Sequence, residues 1–505
     1  MKKIYIKTVL LVAIAASLAT CYDDKGSYDY HDINEGTVSG LDSSYTVIYK
    51  ADTLHITPQW TFTQDNGDPD RYRYEWTLTP AKNDTSLSKH IIGASHDLAY
   101  FPDAKPGDYN LWTKATDKET GVQWMGKSVP FSIRTQFGLG MMVMGEDAEG
   151  YADIEMISVS SDTVILRKLL RNSGLPPLRN PIRVYYSGKQ SLASFDIYAE
   201  LWAMTGDGSY QLDSKTFDGN IENTFDKHLL ACLPMPGDAK PILFAKYPLK
   251  LISMNRIAIC DNGDLFHQPV LSSSNGFYMT QVNVPFIGSA ERFPVAPYVW
   301  QSTVLTAGYI VYDQSGRRFI KVEMSGGSNV ASLPDNVTDK FPWVQPAGRT
   351  LIYGENSSKN FALMKDDNYH IYTFATTSAF TKSNYYTIDL SIAYRLPDAK
   401  LYAFSAQRTF LLYAVGSTLY AYDYDPANPR LFSIDMVDEI TAMEFELSQD
   451  KTGNTLTVCT YNPTTKGTLT SYALSLDPNK FELVPLFSRS DLVKIVDVEW
   501  RIGEN

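Results

Sequence analysis

The sequence predicts an all-β protein in which a β-sandwich is followed by a β-propeller with seven blades. Three observations support this prediction. Short segments that alternate apolar and polar residues recur from about residue 40 onward, as half-buried strands do. Clusters of Asp, Asn, Gly and Ser separate these segments and are typical of turns. The chain has 505 residues, whereas single cores stop growing at roughly 250–300 residues, so more than one domain is expected.

The N-terminus has the pattern of an export signal. Met1–Lys3 is basic and Val9–Ala16 is an apolar run too short to span a bilayer. The segment Leu18-Ala19-Thr20-Cys21 resembles the bacterial lipobox, in which cleavage precedes a lipidated cysteine. We therefore expect residues 1–20 to be a lipoprotein signal peptide and Cys21 to carry the lipid anchor. An ordinary secretory signal is the alternative.

The residues after the predicted anchor are acidic. Asp23 and Asp24 resemble the export signal that sends lipoproteins of the Bacteroidota to the outer face of the outer membrane. Residues 21–35 lack strand or helix periodicity, so they are predicted to form an acidic tether. The resemblance implies a lipid-anchored protein of the outer membrane that faces the cell exterior. A merely solvated tether is the simpler interpretation of the two aspartates.

Residues 36–135 are predicted to form the β-sandwich. Several strand patterns occur in this range with turns between them, and Trp76 lies in the middle of one strand, where sandwich cores hold a tryptophan. The acids of Asp65–Asp70 are interpreted as a turn, with a calcium site as the alternative. Tyr74-Glu75-Trp76-Thr77 and Gly107-Asp108-Tyr109 give this range its resemblance to PKD and immunoglobulin-like domains.

Residues 136–505 repeat a unit of strand, polar turn and strand, which predicts the propeller. The seven turns are separated by 48 to 60 residues and are centred at Asp147, Asp207, Asn262, Ser315, Asp367, Gly416 and Thr464. A single small sheet cannot bury both faces, so radial stacking is expected, with six or eight blades or a double sandwich as alternatives. Closure is predicted to pair Leu139–Met144 with Ile495–Trp500, and a short helix is expected at Ser160–Asn172.

Charge and motifs exclude several functions. The formal net charge is -12, and removal of residues 1–20, which carry three lysines and no acid, takes it to -15. Such a surface repels phosphate, so no nucleic-acid partner is expected. The sequence has no H-E-x-x-H, G-x-S-x-G or P-loop motif. We therefore predict no catalytic residue, metal site or cofactor from the sequence.

One repeated feature points to ligand binding. Phe293–Gln301 and Phe341–Pro346 both combine proline with tryptophan, and they lie 48 residues apart. Equivalent loops of a propeller share one face, so Tyr298, Trp300 and Trp343 are candidate ligand-binding residues for a sugar ring or a peptide side chain. The alternative places both tryptophans in the core between blades.

The opening Cys21–Tyr30, the predicted sandwich and the β-rich remainder together resemble the PKD-like family lipoproteins of the Bacteroidota. This resemblance implies SusC-like and SusD-like outer-membrane transporter components as partners, and an oligopeptide or oligosaccharide ligand. It implies no catalytic residues. We therefore expect a non-enzymatic accessory subunit for binding or scaffolding in nutrient uptake. The alternatives are a surface glycoside hydrolase or lyase and a structural spacer.

Overall fold

The structure is a computed structural model, and it divides the chain into two compact units, Met1–Ile133 and Arg134–Asn505. Cys21, Asp23 and Asp24 lie outside the described residues, as do Cys232 and most of the Asp65–Asp70 turn. The described residues are 33–502 except 52, 65–67, 69, 82–86, 160–162, 189, 193–194, 198, 231–239, 246–254, 270–276, 280, 286–288, 290, 303–307, 324–329, 337–338 and 378–379.

The predicted all-β class is confirmed. Strands dominate both units, and the described residues contain no α-helix. Two short 3-10 helices occur, at Phe225–His228 and Leu396–Asp398. No helix within the described ranges combines the length and the apolar character needed to cross a membrane.

The first unit contains ten strands. Six of them form the largest sheet, in the order β2-β10-β8-β5-β6 with β9 paired to β8, and the others form the pairs β1-β4 and β3-β7. The strands are β1 (Gly36–Ser39), β2 (Tyr45–Ile48), β3 (Leu54–Ile56), β4 (Gln59–Phe62), β5 (Tyr72–Pro80), β6 (His90–Gly93), β7 (Leu98–Tyr100), β8 (Gly107–Asp117), β9 (Gln123–Met125) and β10 (Val129–Arg134).

Alternation along the long strands builds the core of this unit. Every second residue of β8 points inward, including Tyr109 and Leu111, and Trp76 of β5 is fully buried as the sequence predicted. The Trp76 indole Nε1 donates a hydrogen bond to the Ser95 carbonyl over 2.9 Å, which satisfies its only polar group. The ring therefore combines apolar burial with a fixed orientation.

Replacing this ring tests the core of the first unit. Trp76→Ala should lower the free energy of unfolding by about 3–5 kcal/mol, because the lost ring leaves a cavity that neighbours fill only in part. Phe101→Ala, at a side chain that is 49% exposed, is the matched control and should cost far less. Urea unfolding of both variants measures the difference, and a loss within about 0.5 kcal/mol at Trp76 would contradict its core role.

The second unit contains the remaining strands. Their ranges are β11 (Gly140–Glu146), β12 (Ala152–Ser158), β13 (Val164–Leu166), β14 (Pro181–Tyr186), β15 (Gln190–Leu192), β16 (Phe195–Ile197), β17 (Leu201–Thr205), β18 (Ser209–Leu212), β19 (Gly219–Thr224), β20 (Pro241–Ala245), β21 (Asn255–Cys260), β22 (Leu265–Pro269), β23 (Trp300–Gln301), β24 (Tyr309–Asp313), β25 (Arg318–Val322), β26 (Val330–Ser332), β27 (Thr350–Asn356), β28 (Asn360–Lys365), β29 (Tyr369–Thr376), β30 (Phe380–Thr387), β31 (Leu401–Phe404), β32 (Phe410–Val415), β33 (Thr418–Asp423), β34 (Arg430–Asp435), β35 (Glu439–Glu446), β36 (Thr455–Asn462), β37 (Lys466–Leu474), β38 (Leu483–Leu492) and β39 (Lys494–Arg501).

These strands form seven successive antiparallel sheets and one small hairpin, β15-β16. In chain order the sheets are β39-β11-β12-β13, β14-β17-β18-β19, β20-β21-β22, β23-β24-β25-β26, β27-β28-β29-β30, β31-β32-β33-β34 and β35-β36-β37-β38. Each sheet contains one of the seven predicted turns, and that turn joins two consecutive paired strands of the sheet. The turn positions are therefore confirmed.

The helix expected at Ser160–Asn172 is wrong. Within the described part of that range, Val164–Leu166 forms strand β13 on the edge of β12, and turns follow it. The buried Asp153 carboxylate accepts hydrogen bonds from the Leu170 and Arg171 backbone amides, both over 3.1 Å. These bonds, together with the bond that the Asn172 amide donates to the Lys168 carbonyl over 2.9 Å, hold the turn.

The predicted pairing of the first and last strands of this unit is confirmed. Strand β39 pairs antiparallel with β11, and the register sets Met142 opposite Glu499 and Met144 opposite Asp497. The C-terminal strand thereby becomes the edge strand of a sheet whose other strands come from the start of the unit. The pairing satisfies backbone groups that an open edge would expose.

The first strand of each sheet contacts the first strands of its neighbours. Contacts join β39 to β14, β14 to β20, β23 to β27, β27 to β31, β31 to β35 and β35 back to β39. Between β20 and β23, the Gln301 side-chain amide donates a hydrogen bond to the Ala245 carbonyl over 3.2 Å. The series of contacts therefore links the seven strands and returns to the strand from which it started.

Candidate functional site

A cavity of about 480 Å³ lies among the seven first strands. Its lining includes residues of β14, β20, β27, β31, β35 and β39 and the segment before β23. Alternate residues of a strand point to the same side, so pairs two positions apart enter the cavity together. The charged lining residues are Arg183, Glu355, Lys400, Glu444, Glu446, Asp497 and Glu499.

Four carboxyl groups form an acidic wall, contributed by Glu444 and Glu446 of β35 and by Asp497 and Glu499 of β39. Their positions follow from the contact between these two strands. Asp497 Oδ2 accepts a hydrogen bond from the Val184 backbone amide over 3.1 Å, which ties the wall to β14. Glu446 accepts a hydrogen bond from the Gln449 amide over 2.9 Å.

Glu444 has the most unfavourable environment for a charge. Burial raises its pKa well above the usual range, and the charges of Asp497, Glu446 and Glu499 raise it further, while Arg183 lowers it. Its carboxyl group has no hydrogen-bond or ion-pair partner among the described residues. A nearby cation would lower the pKa of Glu444 again by favouring its charged form.

Glu355 of β27 is a second carboxyl group with a raised pKa. Burial raises its pKa to about 7, although two hydrogen bonds favour the charged form. Its Oε2 accepts the Phe404 backbone amide over 2.7 Å and the Tyr353 hydroxyl over 3.2 Å. The two hydrogen bonds fix the position of the Glu355 carboxyl group in the cavity lining, and its pKa lies near physiological pH.

Three tyrosines line another part of the cavity. The ring centroids of Tyr298 and Tyr353 are 5.7 Å apart with an interplanar angle of 75°, and those of Tyr353 and Tyr402 are 5.7 Å apart at 39°. Burial raises the pKa of all three phenols, that of Tyr402 to about 12, so they stay neutral. The Tyr402 hydroxyl donates to the Ala399 carbonyl over 2.7 Å, which fixes its ring.

The structure places the three ligand-binding candidates from the sequence in two different environments. Tyr298 lines the cavity. Trp300 and Trp343 are 0% and 2% exposed and pack in one core cluster on either side of Phe319. A fully enclosed ring cannot contact a ligand, so the prediction of a tryptophan platform is wrong. Both tryptophan rings lie in the core, because exposing so large an apolar area to water would be unfavourable.

Trp300 nevertheless supports the cavity from behind. Its indole Nε1 lies 3.0 Å from both the Glu355 and Phe361 carbonyl oxygens and donates to them. Gly354 allows this close approach, because a Cβ atom there would lie 2.5 Å from Trp300 Cζ2 and 2.9 Å from Tyr298 Cβ. The tryptophan and the glycine together hold the backbone that carries Tyr353 and Glu355.

Sequence reasoning missed the acidic wall. The signal was an acid at every second position of a strand that is otherwise apolar, as in Met443-Glu444-Phe445-Glu446 and Val496-Asp497-Val498-Glu499. This alternation is also the pattern of an ordinary surface strand, so only the contact between the two strands reveals a shared cavity. Within the described residues, no group of three His, Cys, Asp or Glu side chains is placed to hold a metal ion.

The comparison with protein families supports part of the expected resemblance. Residues 21–173 match the PKD-like family, so the resemblance of the N-terminal region to that family is confirmed. The match extends from the first unit into the first strands of the second. A search of curated proteins finds no match.

Several solved structures are similar to this chain at low identity. A DUF4784 family protein from Bacteroides caccae aligns over 92% of this chain and 98% of its own, with 10% identity and a TM-score of 0.24. Sqt1 from Chaetomium thermophilum aligns over 66% of this chain and 78% of its own, with 11% identity and a TM-score of 0.33. The β-propeller domain of Nup133 from Vanderwaltozyma polyspora aligns over 61% of this chain and 88% of its own, with 11% identity and a TM-score of 0.29. None of these TM-scores is high enough to indicate a shared fold over the aligned length.

The raised pKa of Glu355 predicts how stability depends on pH. The folded protein binds this proton more tightly than the unfolded chain does, so the contribution of Glu355 to stability is present below its unfolded pKa and falls as pH rises toward about 7. The shift corresponds to a loss of at most about 3 kcal/mol. Glu355→Gln should therefore be less sensitive to pH between 5 and 8 than the wild type and more stable at the upper end.

The midpoints of urea unfolding of the wild type and of Glu355→Gln, measured at pH 5 and at pH 8, check this expectation. Glu482→Gln, at an exposed residue outside the cavity, is the control for the loss of one acid and should follow the wild type. If Glu355→Gln shows the same pH dependence as the wild type, Glu355 has an ordinary pKa and the described environment is incorrect.

Proposed function

We propose that the second unit is a seven-bladed β-propeller whose central cavity binds a ligand. The observation that carries this proposal is the cavity lined by the first strands of six sheets and by the segment before β23 of the seventh. Closure by β39 and the return of the strand contacts to their starting point are what a propeller requires. Polar groups that converge on one concave space are typical of binding sites rather than of packing.

We further propose that the chain is an accessory binding or scaffolding subunit of a SusC/SusD-like uptake system, anchored through Cys21 on the outer surface of the outer membrane. The support is the lipobox-like segment before Cys21, the acids Asp23 and Asp24, and the match of residues 21–173 to the PKD-like family. In this proposal the N-terminal region carries the anchor, and the cavity holds an oligopeptide or an oligosaccharide for delivery to the transporter.

A glycosidase or lyase is the second candidate, and one observation favours it. The cavity holds carboxyl groups in contrasting environments, with Glu355 at a pKa of about 7 and Glu444 far above its ordinary value, beside Asp497 and Glu499. Carboxylates whose pKa values are pushed apart supply the acid and the base of glycoside cleavage. Cleavage of a glycan by the purified protein, lost in Glu355→Gln, would favour this candidate over a binding subunit.

Isolation of the native complex tests the proposed role. The full chain with a C-terminal tag is expressed in its own host, solubilised from outer membranes with detergent, purified and analysed by mass spectrometry. We expect SusC-like and SusD-like components to co-purify. In Cys21→Ala, the matched control, the protein should be exported but soluble, because the acyl chains that hold it in the membrane are missing.

Two results would contradict the proposal in different ways. Wild-type protein recovered free of the membrane would contradict the lipid anchor. Wild-type protein recovered from the membrane without transporter components would contradict the accessory role and leave the anchor intact. Protease treatment of intact cells adds a test of surface exposure, which Asp23→Ala with Asp24→Ala should reduce.

A further inference from the structure

The cavity has two chemically different walls, one aromatic and one acidic. Together they favour a particular class of ligand. One wall consists of Tyr298, Tyr353 and Tyr402, whose rings stand at angles to one another. The other consists of the carboxyl groups of Glu444, Glu446, Asp497 and Glu499. Neutral rings at mutual angles attract a cation through their faces, and carboxylates bind it by charge-assisted hydrogen bonds.

The charges of the residues that line the cavity also favour a bound cation. Seven titratable charged groups face the cavity: five carboxyl groups, including Glu355, and the two cations Arg183 and Lys400. Glu444 is poorly compensated, because the charges of three acids raise its pKa and that of Arg183 alone lowers it. A partly buried carboxyl group in such surroundings is costly to ionise, and a ligand cation would reduce that cost.

We propose that the cavity binds a ligand through a primary ammonium group, and specifically the lysyl side chain of an oligopeptide. The proposal rests on the proposed function of the cavity as a ligand site. The ammonium group lies against Glu444 and its acidic neighbours, and the tyrosine faces surround the methylene groups next to it. The apolar lining residues Leu243, Val299 and Met443 cover the remainder of the aliphatic stem.

Binding of the ammonium group is coupled to proton release. A cation stabilises the ionised form of a nearby carboxyl group, so a proton held by Glu444 leaves for solvent when the ligand enters. The ligand keeps its own three N–H protons, and its single positive charge is offset by the one proton released. A purely structural role for these acids would produce no proton release on ligand addition.

Calorimetric titration of the full-length protein tests the proposal with matched probes. The first probe is N-acetyl-lysine methylamide, and the second is N-acetyl-norleucine methylamide, which has the same stem without the ammonium group. We expect the lysine derivative to bind and the norleucine derivative to bind at least roughly tenfold more weakly. In buffers of different ionisation enthalpy, the heat of lysine binding should vary with the buffer, because protons are released.

Variants locate the site of binding. Glu444→Gln should weaken lysine binding roughly tenfold or more and reduce the proton release, while Glu482→Gln, which lies outside the cavity, should change neither. Tyr353→Leu should weaken binding severalfold. If Glu444→Gln fails to fold, as judged by its melting curve, Glu499→Gln replaces it with the same expectation.

Three outcomes would overturn the proposal. Equal binding of the two probes would show that the ammonium group is not recognised. Binding of glucosamine but not of the lysine derivative would replace the peptide with an amino sugar, and binding of an uncharged disaccharide alone would reject the cation while leaving the proposed ligand-binding function intact. Absence of binding by both amines at millimolar concentration would also overturn it, whereas the accessory role is decided separately by the co-purified partners.

Discussion

The pairing of β39 with β11 is the constraint on which the second unit depends. This pairing joins residues about 350 positions apart in sequence, so its formation must close a very long loop of chain. It places Asp497 and Glu499 on the same inner strand, beside β14 on one side and β35 on the other. The acidic wall of the cavity therefore consists of two strands from the C-terminal part of the unit, and one of them, β39, is held by its pairing with β11 at the start of the unit.

Closure also explains how so many acids are tolerated in the interior. Each first strand is paired on one edge within its own sheet, and its side chains alternate so that every second one faces the cavity. Hydrogen bonds from the Val184 and Phe404 amides stabilise Asp497 and Glu355, whereas Glu444 receives no such bond among the described residues. Asp497 and Glu355 are therefore held by backbone amides, whereas the carboxyl group of Glu444 is available to a ligand.

Local sequence patterns predicted much of the fold. Turn chemistry identified the hairpins of all seven sheets, and the strand patterns at residues 139–144 and 495–500 identified the two strands that pair. The strand and turn patterns depend on neighbouring residues, which a sequence displays directly. The helix expected at Ser160–Asn172 failed for a non-local reason, because β12 offers an edge to Val164–Leu166 and Asp153 satisfies the following turn.

The candidate site was less predictable than the fold. Aromatic residues near prolines suggested Tyr298, Trp300 and Trp343, but burial depends on how two sheets meet, and only Tyr298 lines the cavity. The decisive residues Glu355, Glu444 and Glu499 lie on three different strands, and no spacing along the chain relates them. Trp300 retains an indirect part, since its indole holds the backbone of Glu355.

The central claim is that the C-terminal strand completes the set of first strands around one cavity. Hydrogen exchange of the full chain and of a chain ending at Val493 tests it most directly, with a chain ending at Ile502 as the control for shortening. Loss of β39 should remove protection from β11, which pairs with it, and from β14 and β35, which contact it from opposite ends of the unit. Unchanged protection in β11 and β14, with effects confined to β38, would contradict closure and with it the acidic cavity.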